Sequence, residues 1–362
     1  MHAARTLSLA LSSTLVVCLV ACGGSDGASE YPSQEQDVSK AEPAPGSLGT
    51  GGATTTPAGS GDLAACATST AAAEPKPVYL VFAYDKSGSM KDNSKWDACK
   101  AATKAFFESP SSAGVHASLM FFPSASNICT SANYETPAVA MTALPATTLG
   151  AALDTRAPDG YTPTHAALKG AISYAKNLQA TSAKDGTVAV VMVTDGIPQN
   201  CEDNLDVGPA AAEAAGAASV VPTYVVGVGS SLTNLDQIAA AGGTTHAFIV
   251  TVGNPAQTQA DLTAAIETIK KSALSCNYTI PAPPSGQTFD RSKVNVVYTP
   301  AGGAASTLDY NPTCAGGTGW KYDDAGQPKE VVLCEAACNV AKGGAGKVDI
   351  VFGCATNGPD IK

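Results

Sequence analysis

The chain is poor in histidine and has no run of basic residues. Its four histidines, His2, His116, His165 and His246, are scattered singly. None has an acidic neighbour at the H-E-x-x-H spacing of a zinc hydrolase, so a metallohydrolase is not indicated. A formal charge of −10 without basic runs argues against nucleic acid and anionic lipid as partners. No apolar stretch is long enough to span a bilayer; the longest, Leu7 to Val20, falls short of the roughly 20 residues required. Gly227-Val228-Gly229-Ser230 follows an apolar run but lacks the lysine of a phosphate loop, and Ser87 lacks the G-x-S-x-G elbow. These absences point away from catalysis and from a small-molecule substrate.

What is present begins with a targeting segment, residues 1–21. Arg5 supplies a positive start, Leu7 to Val20 an apolar centre, and Leu19-Val20-Ala21-Cys22 resembles a bacterial lipobox. The resemblance implies cleavage before Cys22, its lipidation, and an anchor in the cell envelope, with the outer membrane or cell surface favoured. An ordinary secretory signal is the alternative. Cleavage would remove one basic and no acidic residue, taking the charge to −11. Residues 22–62 are rich in Gly, Ser, Thr, Ala and Pro and cannot bury a core. They read as a disordered tether with a mean reach of about 35 Å.

From residue 76 onward apolar runs alternate with helical periodicity. Strands are expected at 78–84, 116–122, 187–194, 221–227 and 245–251, with an edge strand near 137–143. Helices are expected at 94–108, 164–179, 206–219, 232–240 and 257–274. That alternation argues an α/β fold, a mostly parallel doubly wound sheet with helices on both faces. Three loops follow these elements. Asp85-Lys86-Ser87-Gly88-Ser89 ends the first strand, Gly160-Tyr161-Thr162-Pro163 enters a helix, and Thr194-Asp195-Gly196 ends a second apolar strand. Open α/β sheets bind ligands at such strand ends. An Asp and two Ser spaced two apart offer three hard oxygens from one turn, which suits Mg²⁺. The plainer alternative is that Asp85 and Ser87 cap the following helix.

D-x-S-x-S, G-x-T-P and T-D-G in this order resemble the von Willebrand factor type A domain and its metal-ion-dependent adhesion site. The likeness runs from about 76 to 275 and includes Leu235 to Gly243. Tyr161 stands where the family often has a second Gly, and Tyr84 where an aliphatic residue is usual; neither removes a ligand oxygen. The resemblance implies a metal site of Asp85, Ser87, Ser89, Thr162 and Asp195, loaded with Mg²⁺ (or Mn²⁺ or Ca²⁺). It implies a protein or polymer partner whose carboxylate completes the coordination. Asp92, Asp154, Asp159, Glu202, Asp203 and Asp206 read as a solvated acidic rim around that site. Residues 202–206 lack the Gly and closing Glu of an EF-hand loop.

Nine cysteines follow Cys22, and export makes disulfides the default. With the family fold assumed, Cys66 and Cys276 flank the first domain, 63–276, and are expected to pair, restraining the last helix and keeping the site rigid. Cys129 and Cys201 are expected to bridge near the carboxyl edge of the sheet. Cys314, Cys334, Cys338 and Cys354 are left to pair within residues 277–362, and Cys99 reads as a buried free thiol. Cys334 and Cys338 have no histidine nearby to build a zinc site. After Pro281-Ala282-Pro283-Pro284, short strands at 294–298, 330–333 and 348–352 suggest a small disulfide-stapled β domain. Read together, these features predict a lipid-anchored, non-enzymatic module binding a carboxylate-bearing partner through a metal. A structural scaffold whose metal only stabilises it, and an accessory subunit of an enzyme complex, are the competing classes.

Overall fold

A computed structural model describes residues 63, 66–73, 76–229, 232–282, 288–343, 346–359 and 361. All lie within the unit Thr55–Lys362. The signal segment, Cys22 and the tether expected over 22–62 lie outside the described residues. In chain order the elements are β1 (Ser69–Ala73), β2 (Val78–Asp85), α1 (Lys95–Glu108), β3 (Val115–Phe122), β4 (Val139–Ala143), α2 (Thr148–Asp154), α3 (Thr164–Thr181) and β5 (Thr187–Thr194). There follow α4 (Gly208–Ala215), β6 (Thr223–Val228), α5 (Leu235–Ala241), β7 (Phe248–Val250) and α6 (Pro255–Ala273). The C-terminal region holds β8 (Asn277–Thr279), β9 (Val294–Thr299), β10 (Ser306–Leu308), β11 (Trp320–Tyr322), β12 (Glu330–Leu333), α7 (Glu335–Gly343) and β13 (Lys347–Phe352).

The larger sheet has the order β4-β3-β2-β5-β6-β7 and is parallel throughout except for β4, which runs antiparallel to β3. Its central strands are apolar along their length because both faces are covered. Alternation sends Leu80, Phe82 and Tyr84 of β2 into one core and Val81 and Ala83 into the other. Strand β5 divides in the same way, Val191 and Val193 against Val190 and Met192. The first core is closed by α1, α2 and α6; Leu262, Ile266, Ile269 and Ala273 recur on one face of α6 at helical spacing. The second is closed by α3, α4 and α5. Helix α6 starts sharply because Asn254 accepts from the amides of Ala256 and Gln257 and Pro255 occupies the first turn.

The C-terminal strands form a four-stranded antiparallel sheet, β1-β13-β9-β10, and a three-stranded one, β11-β12-β8. They enclose a third core around Trp320, whose indole Nε1 donates to the Leu308 carbonyl at 3.1 Å. Residues 69–73, expected with the first domain, are instead an edge strand of this region. The register Ser69↔Phe352 to Ala73↔Val348 carries the chain across from one sheet to the other.

That pairing overturns the expected Cys66–Cys276 disulfide. Just beyond the paired residues Ser69 and Phe352, Cys66 and Cys354 leave neighbouring strands side by side, and these two are bonded with Cα atoms 5.0 Å apart. Cys276 precedes β8, whose neighbour β12 leads into the first turn of α7, and it is bonded to Cys338. Cys338 and Cys354 therefore do not pair within 277–362 as expected, and only Cys314–Cys334 lies wholly inside it. Cys129 and Cys201 are bonded to each other, and Cys99 is free and buried. The restraint on the end of α6 comes from Cys276–Cys338 and from Lys342 Nζ, which donates to the Ser272 carbonyl at 3.2 Å. Helix α2 and strands β8, β10 and β11 are short and have no counterpart among the expected elements, and neither has α7, although its nine residues are amphipathic.

Candidate functional site

Strands β2 and β5 lie side by side with Tyr84 opposite Val193, so their carboxyl ends emerge together. The next residues are Asp85 and Thr194, and the Thr194 hydroxyl donates to Asp85 Oδ2 at 2.7 Å. Asp85 Oδ1 accepts from the Ser87 amide at 2.6 Å. The carboxylate is completely buried and held at both oxygens. Ser87 Oγ lies 3.1 Å from Ser89 Oγ, so the two hydroxyls face the same space. Ser87 precedes the short 3₁₀ turn Gly88–Ser94, yet its side chain makes no capping bond. Helix capping does not account for this loop.

The second loop is tied to the first by its backbone. The Gly88 amide donates to Gly160 O at 2.9 Å and the Asp159 amide to Lys86 O at 2.6 Å. Gly160 has φ +85°, a left-handed conformation that glycine adopts freely, and a Cβ there would come 2.9 Å from Pro123. Thr162 follows, 2% exposed, with its carbonyl accepting from the Gln199 amide of the third loop. Its hydroxyl has no hydrogen bond among the described residues. A Cβ on Gly196 would lie 3.9 Å from Ser89 Oγ and 4.0 Å from Thr162 Oγ1, so Gly196 leaves both hydroxyls open to one space.

Asp195 closes the cluster. Its Oδ1 accepts from Ser89 Oγ at 2.8 Å, and its Oδ2 accepts from Lys95 Nζ at 2.7 Å. Lys95 opens α1 after Asn93 and Ser94, both in the left-handed region (φ 53° and 57°), a tight reversal that turns the helix start toward the site. Burial, and next the Asp195 charge, push Asp85 from 3.8 up to about 7. Burial, then Asp195 and Asp85, push the Cys99 thiol up to about 12, which makes it unreactive.

The five residues expected at the site are thus brought together by three loops. Their donors are two carboxylates and three hydroxyls, all hard oxygens of the kind Mg²⁺, Mn²⁺ or Ca²⁺ accepts. Among the described residues no group of three or more His, Cys, Asp or Glu is placed to hold a metal, so a cation here would rest on hydroxyls as much as on carboxylates. Two contributors were not anticipated: Thr194, which sits in the quoted T-D-G segment, and Lys95, whose approach depends on the left-handed turn before it. The acidic rim is smaller than expected. Asp203 is 1% exposed and its Oδ2 accepts from the His165 amide at the start of α3, while Asp154 is paired with Lys100 and Lys104. Asp92, Asp159, Glu202 and Asp206 are exposed.

A family model described as von Willebrand factor type A domain matches residues 80–265. No curated protein matches the chain. Among solved structures it is similar to the vWF domain of the type V pili tip protein Mfa5 from Porphyromonas gingivalis, with 14% identity and a TM-score of 0.40, over 56% of this chain and 97% of that one. It is similar to the pilus adhesin SpaC from Lactobacillus rhamnosus GG at 16% identity and TM-score 0.43, over 76% of this chain and 38% of that one. It is also similar to manganese-loaded TRAP protein from Plasmodium vivax at 15% identity and TM-score 0.35, over 61% of this chain and 92% of that one.

Proposed function

The chain belongs to the von Willebrand factor type A domain family, and on that premise we propose that it binds a protein or polymer partner through a divalent cation held by Asp85, Ser87, Ser89, Thr162 and Asp195. One observation carries this reading. Three neighbouring loops carry five oxygen-bearing side chains with only two formal charges among them, and one of these, Asp195, is already neutralised by Lys95. A cation so held keeps its electrophilicity and would take a carboxylate from the partner. The role proposed is binding and not catalysis: Ser87 and Ser89 hydrogen-bond each other, and Ser89 bonds the Asp195 carboxylate. Export and anchoring through Cys22 to a bacterial envelope complete the proposal, and the four disulfides are consistent with an oxidising compartment.

A structural role for the metal is the second reading. The burial of Asp85 beside Asp195 favours it, because a cation would offset the repulsion between the two carboxylates. The two readings are separated by capture from envelope extracts with the full chain in Mg²⁺, in EDTA, and with Asp85→Ala. A partner retained in Mg²⁺ and lost in both other arms supports adhesion. Retention in all three arms, with the variant only less stable, overturns it.

A further inference from the structure

A cavity of about 430 Å³ opens beside the first loop, at the carboxyl ends of β2 and β3. Its apolar wall is Met120, Phe121 and Pro123. Two cations line it: Lys86, the residue after Asp85, and Arg156, whose guanidinium lies 5.4 Å from the centre of the Phe121 ring. Neither side chain makes a hydrogen bond or ion pair with a described residue. Burial lowers the Lys86 ammonium below its ordinary range; Asp159 opposes this and Arg156 adds to it. Two unpaired cations side by side in a chain of net charge −10 leave a local positive hollow beside the candidate cation site.

We propose that this cavity is an acidic subsite that takes the glutamate side chain of a peptide partner next to the carboxylate that reaches the cation. The proposal rests on the metal-binding reading and narrows the partner to an acidic peptide. The lining favours a peptide over a uronic-acid polymer. Ser124 Oγ donates to Ser126 O, and Asn133 Nδ2 donates to both Ser126 O and Asn127 O, so these donors are committed to the loop itself. A polyhydroxylated ring would find little beyond Thr136 to replace its water. A glutamate lays its methylenes along the wall at Phe121 and Pro123 and sets its carboxylate between Lys86 and Arg156, where Arg offers a forked, preoriented donor pair.

The test uses fluorescein-labelled acetyl-Glu-Glu-Glu-amide and the full chain, read by fluorescence anisotropy in Mg²⁺ and in EDTA. Lys86→Met and Arg156→Met are each expected to weaken binding on the order of fivefold, with Mg²⁺ affinity by calorimetry unchanged in Arg156→Met. The corresponding Gln peptide is expected not to compete. Binding abolished by EDTA but indifferent to Arg156→Met overturns the subsite and leaves the metal reading standing. Binding sensitive to Arg156→Met but indifferent to EDTA and to Asp85→Ala keeps the subsite and overturns the metal reading. Displacement of the labelled peptide by a digalacturonate at a lower concentration than by the unlabelled Glu peptide overturns the peptide assignment.

Discussion

Lys95 Nζ donates to Asp195 Oδ2 at 2.7 Å, and the two side chains are 12% and 0% exposed. An ammonium therefore sits against the carboxylate that, with Asp85, supplies the site's negative charge. Without it two buried carboxylates share one small space and must repel, as the raised Asp85 already records.

Lys95→Met should therefore have two opposite effects. The metal-free protein should lose about 3 kcal/mol, the scale of unpairing a buried charge. Mg²⁺ should bind several-fold more tightly, because Asp195 is freed for the cation. Denaturation in EDTA and calorimetric Mg²⁺ titration of the same variant read the two effects separately. Equal Mg²⁺ affinity in wild type and variant would show that Lys95 does not bear on the site.

Asp85 makes the metal-free protein sensitive to pH. Its carboxyl moves from 3.8 to about 7 on folding, so the proton is bound more tightly in the folded state. The stabilisation from that proton is fully present below pH 3.8 and is lost as pH rises through 7. In EDTA, this group should make Tm fall between about pH 5 and about pH 8. Asp85→Asn, which carries no proton to lose, should remove that part of the slope. A slope identical in wild type and Asp85→Asn would refute the assignment.

The Thr194 hydroxyl positions Asp85 through a fully buried hydrogen bond of 2.7 Å. Thr194→Val keeps the shape and leaves Asp85 Oδ2 without its donor. The expected cost is about 1–3 kcal/mol in Mg²⁺-free buffer. The Asp85 titration, followed by NMR of its carboxyl carbon, should move further upward. Thr194→Ser should restore both properties, and its failure to do so would assign the effect to packing.

Cys276–Cys338 ties the end of α6 to α7 across a sequence separation of 62 residues. The chain-entropy estimate for such a loop is about 4 kcal/mol. Replacing both cysteines by alanine should lower the denaturation midpoint and speed hydrogen exchange in the last turns of α6. Replacing Cys66 and Cys354 should speed exchange in β1 and leave α6 protected. Peptide mapping that recovers Cys66 joined to Cys276 would contradict both expectations.

Much of the larger sheet is legible in its residues. Strands β2 and β5 are largely apolar runs because both faces are buried, β3 is interrupted only by His116 and Ser118, and each ends on the loop that follows. The five site residues announce themselves because each stands where a buried strand or a turn before a helix stops. Short elements were not legible: β8, β10 and β11 are three residues each, below the length at which alternation is distinguishable from chance. The expected ends of β6 and β7 differ from the observed ones by one to three residues, as terminal residues commonly do.

The residues alone determine the alternating α/β order, the three oxygen-bearing loops and an abundance of cysteine suited to disulfides, because these follow from local chain preference and side-chain chemistry. Tertiary structure alone decides that β1 crosses to the C-terminal sheet, that Cys66 meets Cys354 rather than Cys276, and that Lys95 reaches Asp195. Those outcomes depend on register and on the direction in which a side chain leaves its turn. Both are set by which surfaces bury against each other across hundreds of residues, and no local run of sequence carries that information.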